Sequence, residues 1–303
     1  MFRTAATSAP PECSDGGTSA SPETPASEET DMPYFETADG TRLSYEDYGA
    51  GAPIVFVSSW ALSSDMWEYQ VPFFAERGYR CVLFDRRGHG RSDRPSTGYD
   101  TDTRADDLAA LIEHLDLREV TLVGHSAGGG EVARYLARHG EDRVARVAFV
   151  AAVLPFLKLT DDNPGGVPEA LSEATVARFQ KDRPKWFADR AQGFFATHLG
   201  NDVSPALIDL TMRQCLEASP WATTAVWREM FSADHRDALR AMTVPTLIVH
   251  GAADQSARVE LTGRRTAELM PNAVYKEYPT AGHGLYVTHR DQLNADILEL
   301  IKG

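Results

Sequence analysis

Short apolar runs alternate with amphipathic stretches along most of the chain. Runs without polar alternation occur at 54–57, 81–84, 120–123, 147–153 and 244–250. Between them, apolar residues recur at helical spacing. Strands that are apolar on both faces and that alternate with helices are typical of a parallel sheet covered on each side. The pattern therefore predicts an α/β fold, whose mostly parallel sheet counts eight strands when the terminal segments are included.

Three segments depart from this alternation. Residues 34–48 predict a hairpin around Asp39-Gly40, which would form the antiparallel edge of the sheet. The first 32 residues are rich in Ser, Thr, Ala, Pro, Gly and Glu and predict a disordered tail. Between Leu154 and Met242, aromatic-rich helical stretches replace the strands, and we expect them to form a lid. The predicted boundaries are 1–32 for the tail, 33–154 and 243–303 for the core, and 155–242 for the lid.

Local signals predict where several helices lie. Thr101 or Asp102 is suited to cap the helix that follows the second buried run. Apolar spacing over 66–76 predicts one helix that stops at Gly78. In the lid, helices are expected at 169–181, 185–198, 205–218 and 222–231, and after the lid a helix is expected at 259–270.

A candidate nucleophile lies between a strand and a helix. Gly124-His125-Ser126-Ala127-Gly128 has the pattern G-x-S-x-G, directly after the run at 120–123 and before an amphipathic stretch. In that context the serine lies on a strained turn, and the glycines let strand and helix approach closely. The unpaired N–H groups of the helix N-terminus suit a developing negative charge. The alternative is a tight turn with an ordinary surface serine.

A serine needs a base to take its proton and an acid to orient that base. His283 follows the last strand between two glycines, and Asp254 follows the strand at 244–250. We therefore expect a triad of Ser126, Asp254 and His283, in the order Ser…Asp…His. Alternatively, Asp254 caps the next helix and His283 is a surface loop residue. His125, His250 and His89 are expected to be structural, and Glu131 to lie on the helix surface.

The composition of the chain disfavours several classes of binding partner. The chain has 30 basic and 44 acidic residues, a net charge of −14 that argues against binding nucleic acid. No apolar run reaches the length of a membrane span, and no basic cluster suits an anionic membrane surface. Cys13, Cys81 and Cys215 form neither a disulfide framework nor a metal site, which favours the cytoplasm. Metal-ligand spacing and a phosphate-binding glycine loop are also absent.

These motifs resemble the α/β-hydrolase superfamily, and within it the cofactor-free haloperoxidase/perhydrolase and aryl esterase group. The resemblance covers Tyr34 to Gly303. It implies an α/β-hydrolase fold, the triad above, oxyanion donors at the backbone N–H groups of Trp60 and Ala127, no cofactor, and a short acyl group under the lid. Its most specific pieces are Trp67-Glu-Tyr-Gln70, Asp85-Arg-Arg-Gly-His-Gly-Arg-Ser92, residues 105–117 and Ser126-Ala-Gly-Gly-Gly-Glu-Val-Ala-Arg134.

The chain departs from the family at the oxyanion loop, which we define as residues 58–61. Ser58-Ser59 replaces the usual His-Gly before the tryptophan, and Ala61 replaces the proline associated with efficient peracid chemistry. Ala127 is smaller than the usual residue, and Ala252 stands where the family has Asp. The small side chains at 61 and 127 predict room for a bulkier acyl group.

The sequence therefore predicts a serine hydrolase of small-molecule carboxylic esters or lactones, with perhydrolase or haloperoxidase side activity as a further expectation. Two alternatives stay open. The same triad serves C–C hydrolases of ring-cleavage products, and hydrolase-fold receptors keep it while turning over slowly. A homo-oligomer is compatible with the sequence.

Overall fold

Eight strands form a single sheet in the order β1-β2-β4-β3-β5-β6-β7-β8. The computed structural model describes residues 33–303, so the predicted tail at 1–32 lies outside the described residues. Neighbouring strands from β4 to β8 along this order are parallel, whereas β2 is antiparallel to both β1 and β4. The strands are β1 (Tyr34–Glu36), β2 (Arg42–Tyr48), β3 (Pro53–Val57), β4 (Arg80–Phe84), β5 (Val120–His125), β6 (Val144–Val150), β7 (Thr246–Gly251) and β8 (Val274–Tyr278). The predicted sheet and its antiparallel edge are confirmed.

Both faces of the central part of the sheet are buried, because residues of β3 to β7 enter hydrophobic clusters on both sides. Ile54 and Phe56 of β3 pack on one side, and Val55 and Val57 pack on the other. This explains why the central strands are apolar without alternation.

Helices cover each face and fill the segment between β6 and β7. Residues of α1 and α12 enter one cluster, and residues of α2, α3 and α9 enter the other. The helices are α1 (Gln70–Ala75), α2 (Thr101–His114), α3 (Ala127–His139), α4 (Glu169–Lys181), α5 (Arg183–Ala188), α6 (Ala191–Phe195), α7 (Pro205–Glu217), α8 (Pro220–Ser232), α9 (Arg236–Ala241), α10 (Gly263–Leu269), α11 (Leu285–Thr288) and α12 (Arg290–Lys302). In the described part of the chain, none of them combines the length and the apolar character that crossing a bilayer requires.

Three predicted helices differ in their limits. The helix expected over 66–76 is a 3-10 turn at Ser64–Trp67 followed by α1, since Pro72 lacks an amide hydrogen and fits the first turn of a new helix. The helix expected at 185–198 is divided into α5, α6 and a 3-10 turn, and Ala196 adopts a left-handed conformation at φ 51°. The helix expected at 259–270 begins at Gly263. Naming the insert a lid with bounds 155–242 stays a prediction.

The N-cap of α2 is Asp100, so the prediction of Thr101 or Asp102 is wrong by one or two positions. Asp100 has extended backbone angles, and its carboxylate accepts the amide hydrogen of Thr103 at 2.8 Å. The cap satisfies one of the amide groups that a helix N-terminus leaves unpaired.

Replacing this cap tests its contribution. We expect Asp100→Ala to lower the free energy of unfolding by about 1 kcal/mol, measured by urea denaturation. Asp100→Asn is the matched control, because it retains an acceptor oxygen and should stay close to wild type. Equal losses in both variants would contradict the assigned cap.

Candidate active site

Ser126 lies on the turn between β5 and α3. Its backbone angles are φ 55° and ψ −118°, a region that residues with a side chain rarely adopt. Three backbone hydrogen bonds hold the turn: Ser126 N–H donates to Val150 O at 3.1 Å, and Ser126 O accepts from Gly129 and Val153. The neighbouring strand thus fixes the serine in its strained conformation.

Glycine is required where α3 crosses the sheet. A Cβ atom at Gly128 would overlap the carbonyl oxygen of Val57 and lie 2.8 Å from that of Ser58. A Cβ atom at Gly124 would lie 2.9 Å from the carbonyl oxygen of Gly128. The first turn of α3 therefore lies directly against the end of β3, where the oxyanion loop begins.

The structure brings the three predicted triad residues together. His283 Nε2 lies 2.9 Å from Ser126 Oγ, and His283 Nδ1 lies 2.7 Å from Asp254 Oδ2. All three side chains are buried. Asp254 follows β7 and His283 follows β8, so both are carried by loops at the carboxyl ends of parallel strands, where open α/β sheets bind ligands.

Asp254 is ionised in this environment. Burial alone would raise its pKa, but the charge on His283 and hydrogen bonds from His250 and His283 outweigh burial and lower the pKa below its usual range. The amide groups of Ser256 and Ala257 also donate to Oδ1, each at 2.8 Å. A carboxylate with this many donors can hold the imidazole of His283 in one tautomer and stabilise its charged form.

Two further histidines support these loops. His125 Nε2 donates to the carbonyl oxygen of His283 at 3.0 Å, and burial, then the charge on His283, lower the pKa of His125 well below its usual value. His250 Nε2 donates to Ala257 O at 2.7 Å and lies 3.3 Å from Asp254 Oδ2. Since a carbonyl oxygen only accepts, both rings carry their proton on Nε2. His125 therefore steadies the loop of His283, and His250 steadies that of Asp254.

Glu131 is fully buried, so the prediction that it lies on the surface of α3 is wrong. Its Oε1 accepts from Arg86 Nε at 3.0 Å and from Arg104 Nη1 at 2.6 Å. Two guanidinium groups offset the cost of burying its carboxylate. His89, expected to be structural, is also buried, and its Nδ1 lies 3.0 Å from Arg87 O.

The oxyanion loop connects the site to the inserted helices. Trp60 Nε1 donates to Thr223 O of α8 at 2.8 Å, and its ring packs against Trp186 and Trp227 at 5.8 and 5.1 Å between centroids. Ala61 has φ 63°, in the left-handed region. The side chains of Ala61 and Ala127 are buried away from the cavity lining.

A cavity of 590 Å³ opens onto Ser126 and His283. Its wall combines aromatic and aliphatic side chains with polar and charged ones, which include Asp189, Arg190 and Gln255. Lining residues from the insert include Trp186, Phe187, Phe194, Met212, Trp227 and Phe231. Within residues 33–303, no three His, Cys, Asp or Glu side chains are grouped as metal ligands would be.

Comparison with known proteins agrees with this architecture. A model of the alpha/beta hydrolase fold family matches residues 52–290. The chain belongs to the α/β-hydrolase family.

Within this family, the α/β-hydrolase chain is 41% identical over 273 residues to a non-heme haloperoxidase of Rhodococcus erythropolis, covering 89% of this chain and 100% of that protein. It is 37% identical over 275 residues to a bifunctional esterase/perhydrolase of Acinetobacter calcoaceticus, covering 89% and 100%. The solved structure of an esterase from Exiguobacterium antarcticum superposes with a TM-score of 0.84 at 31% identity, covering 89% of this chain and 99% of the other. These matches confirm the resemblance to the haloperoxidase and esterase group.

The pKa of Asp254 predicts how stability depends on pH. Because the folded-state pKa is lower than the unfolded value of about 3.9, ionised Asp254 stabilises the fold above that pH, and this stabilisation is lost as the pH falls through the folded pKa. We expect the difference in unfolding free energy between wild type and Asp254→Asn to shrink as the pH falls below about pH 4. Asp237→Asn, at a fully exposed side chain, is the control and should show no such change.

The conformation of Ala61 gives a second prediction. Glycine adopts φ 63° without strain, so Ala61→Gly should leave the free energy of unfolding at or above the wild-type value, within about 1 kcal/mol. Proline requires φ near −65°, so Ala61→Pro should lower it by more than about 1 kcal/mol. Ala109→Gly, inside α2, is the control and should lose about 1 kcal/mol. An undiminished Ala61→Pro variant would contradict the left-handed conformation.

Proposed function

We propose that the chain is a serine hydrolase that cleaves carboxylic esters or lactones through an acyl-enzyme. The observation that carries this proposal is the hydrogen-bonded series Ser126–His283–Asp254, with distances of 2.9 and 2.7 Å, at the wall of an aromatic cavity. The family membership supports it, since the relatives include a bifunctional esterase/perhydrolase and an esterase.

The reaction follows from these positions. Ser126 Oγ attacks the carbonyl carbon while its proton passes to His283 Nε2. The tetrahedral intermediate then collapses, the C–O bond to the leaving alcohol breaks, and His283 returns the proton to that oxygen. Water attacks the acyl-enzyme with His283 again taking the proton, and the acid leaves as Ser126 Oγ regains it. Asp254 stabilises the imidazolium in both halves without accepting a proton.

The proposed donors for the oxyanion are the backbone N–H groups of Trp60 and Ala127. Neither amide donates a hydrogen bond to any residue in 33–303, so both are free for a ligand oxygen. Ala127 begins α3, where the helix dipole adds to the stabilisation of negative charge.

The cavity supports substrates with apolar or aromatic groups. Its volume of 590 Å³ is within the range of sites for drug-sized ligands, well beyond the needs of an acetyl group. Hydrogen peroxide can replace water in the second half of the reaction and would give a peracid instead of an acid. The haloperoxidase and perhydrolase relatives support this side activity.

We also propose that residues 155–242 form a helical lid over the site and that the protein acts in the cytoplasm. Cys81 and Cys215 are free, buried thiols, as expected in a reducing compartment. The net charge of −14 supports a small-molecule substrate rather than nucleic acid.

Hydrolysis of an aryl ester tests the proposal. Ser126→Ala should lower kcat by a factor on the order of 10⁶ and abolish labelling by a fluorophosphonate, because the attacking oxygen is lost. Ser232→Ala, at an exposed serine of α8, is the control and should retain both. A folded wild-type protein that is not labelled would contradict the proposal.

The same panel separates the alternatives. Faster turnover of a vinylogous diketone than of aryl esters and lactones would favour a C–C hydrolase. A stoichiometric burst followed by negligible turnover would favour a ligand receptor. Steady turnover of esters, with peracid formed when peroxide is added, is the outcome we expect.

A further inference from the structure

We propose that Arg86 and Glu131 are positioning residues that fix the orientation of the two proposed oxyanion donors, the N–H groups of Trp60 and Ala127, relative to each other. This inference rests on the proposed function, since it concerns how the hydrolytic site is kept in shape. It assigns a role to a buried ion pair that lies outside the triad.

Arg86 forms two hydrogen bonds with the backbone of the oxyanion loop. Its Nη1 donates to Ser59 O and its Nη2 donates to Ser58 O, each at 2.5 Å. These carbonyl groups belong to the residues directly before Trp60. A planar guanidinium presents its donors in a fixed fork, so binding two successive carbonyls fixes the orientation of that backbone. The direction of the Trp60 N–H bond follows from this orientation.

Glu131 connects the same guanidinium to the helix that carries the other donor. It lies on α3, one turn beyond Ala127, and its Oε1 accepts from Arg86 Nε at 3.0 Å. Arg104 on α2 donates to the same oxygen at 2.6 Å and fixes the carboxylate from the opposite element. Arg86 and Glu131, which we call the Arg86–Glu131 bridge, therefore join the Trp60 side of the oxyanion site to the Ala127 side.

Burial makes this connection stiff. The side chains of Arg86 and Glu131 are 3% and 0% exposed, so water does not compete for their hydrogen bonds. Burial lowers the pKa of Arg86 and the charge of Glu131 opposes that effect. In a low-dielectric interior, hydrogen bonds between charged groups are strong and directional.

The adjacent Arg87 provides a matched comparison within the chain. It is equally buried and pairs with Asp107 of α2, Nε to Oδ2 at 2.7 Å and Nη2 to Oδ1 at 2.6 Å. Its partners are on α2 and at Asp39. The carbonyl groups of residues 58 and 59 accept hydrogen bonds from Arg86 instead. Breaking the Arg87–Asp107 pair thus removes a comparable buried charge without releasing the oxyanion loop.

The experiment compares an aryl ester with its thionoester, in which sulfur replaces the carbonyl oxygen. Sulfur is a weak hydrogen-bond acceptor, so the oxyanion donors accelerate the ester more than the thionoester. The ratio of kcat for the ester to kcat for the thionoester therefore reports on oxyanion stabilisation. Both rates come from one preparation, so the ratio does not depend on the fraction of protein that is folded. We expect Glu131→Met, which removes the acceptor oxygens at similar side-chain volume, and Arg86→Lys each to lower this ratio about 10-fold or more with KM unchanged, because the donors become misaligned.

Asp107→Asn is the control and should keep the wild-type ratio even where thermal unfolding shows lost stability. Arg86→Lys retains the positive charge but cannot donate to two carbonyl groups at once, so it tests geometry even if Glu131→Met unfolds. If wild type and Asp107→Asn hydrolyse the ester and both bridge variants keep the wild-type ratio, the positioning role is overturned and the proposed function stands. If the wild type hydrolyses no ester, the proposed function fails and this inference fails with it.

Discussion

The close crossing of α3 over the end of β3 is the constraint on which the site depends. Gly128 lets the helix backbone lie against the carbonyl groups of Val57 and Ser58. The same crossing requires the sharp turn at Ser126, whose strained angles cost of order 1–3 kcal/mol and are held by hydrogen bonds to β6 and the residues after it. One backbone contact thereby sets the positions of the proposed nucleophile Ser126, the start of α3 and the beginning of the oxyanion loop.

A second constraint is the burial of charge around this crossing. Asp254 and Glu131 are carboxylates with almost no exposure, and each would be costly without partners. Asp254 receives amide and imidazole donors from the loop that follows β7 and from His283. Glu131 receives guanidinium donors from elements on either side of α3. Each carboxylate fixes one part of the site, the proposed base His283 in the first case and the backbone near the proposed oxyanion donors in the second.

The sequence predicted the features that depend on local pattern, and missed those that depend on distant partners. The sheet and the elbow at Ser126 are encoded in short apolar runs and glycines that lie next to each other in the chain. The burial of Glu131 is not, because it needs Arg86 and Arg104, which are 45 and 27 residues away. The cap of α2 and the division of the predicted helix at 185–198 were also missed, since propensity alone does not fix helix ends. A glutamate within the glycine-rich first turns of α3, set against two arginine-bearing motifs, was the available signal for its burial.

The proposed catalytic residues and the cavity wall come from different parts of the fold, and Trp60 contributes to both. The triad is carried by the strand ends, whereas most of the cavity wall comes from helices between β6 and β7. The backbone of Trp60 is on the loop held by Arg86, while its ring packs against Trp186 and Trp227 and its indole N–H donates to Thr223 of α8. The hydrogen bonds from Arg86 to the two preceding carbonyl groups fix the backbone of Trp60 independently of the contacts that its ring makes with the inserted helices. The cavity wall and the proposed oxyanion donor at Trp60 are therefore held by different parts of the fold.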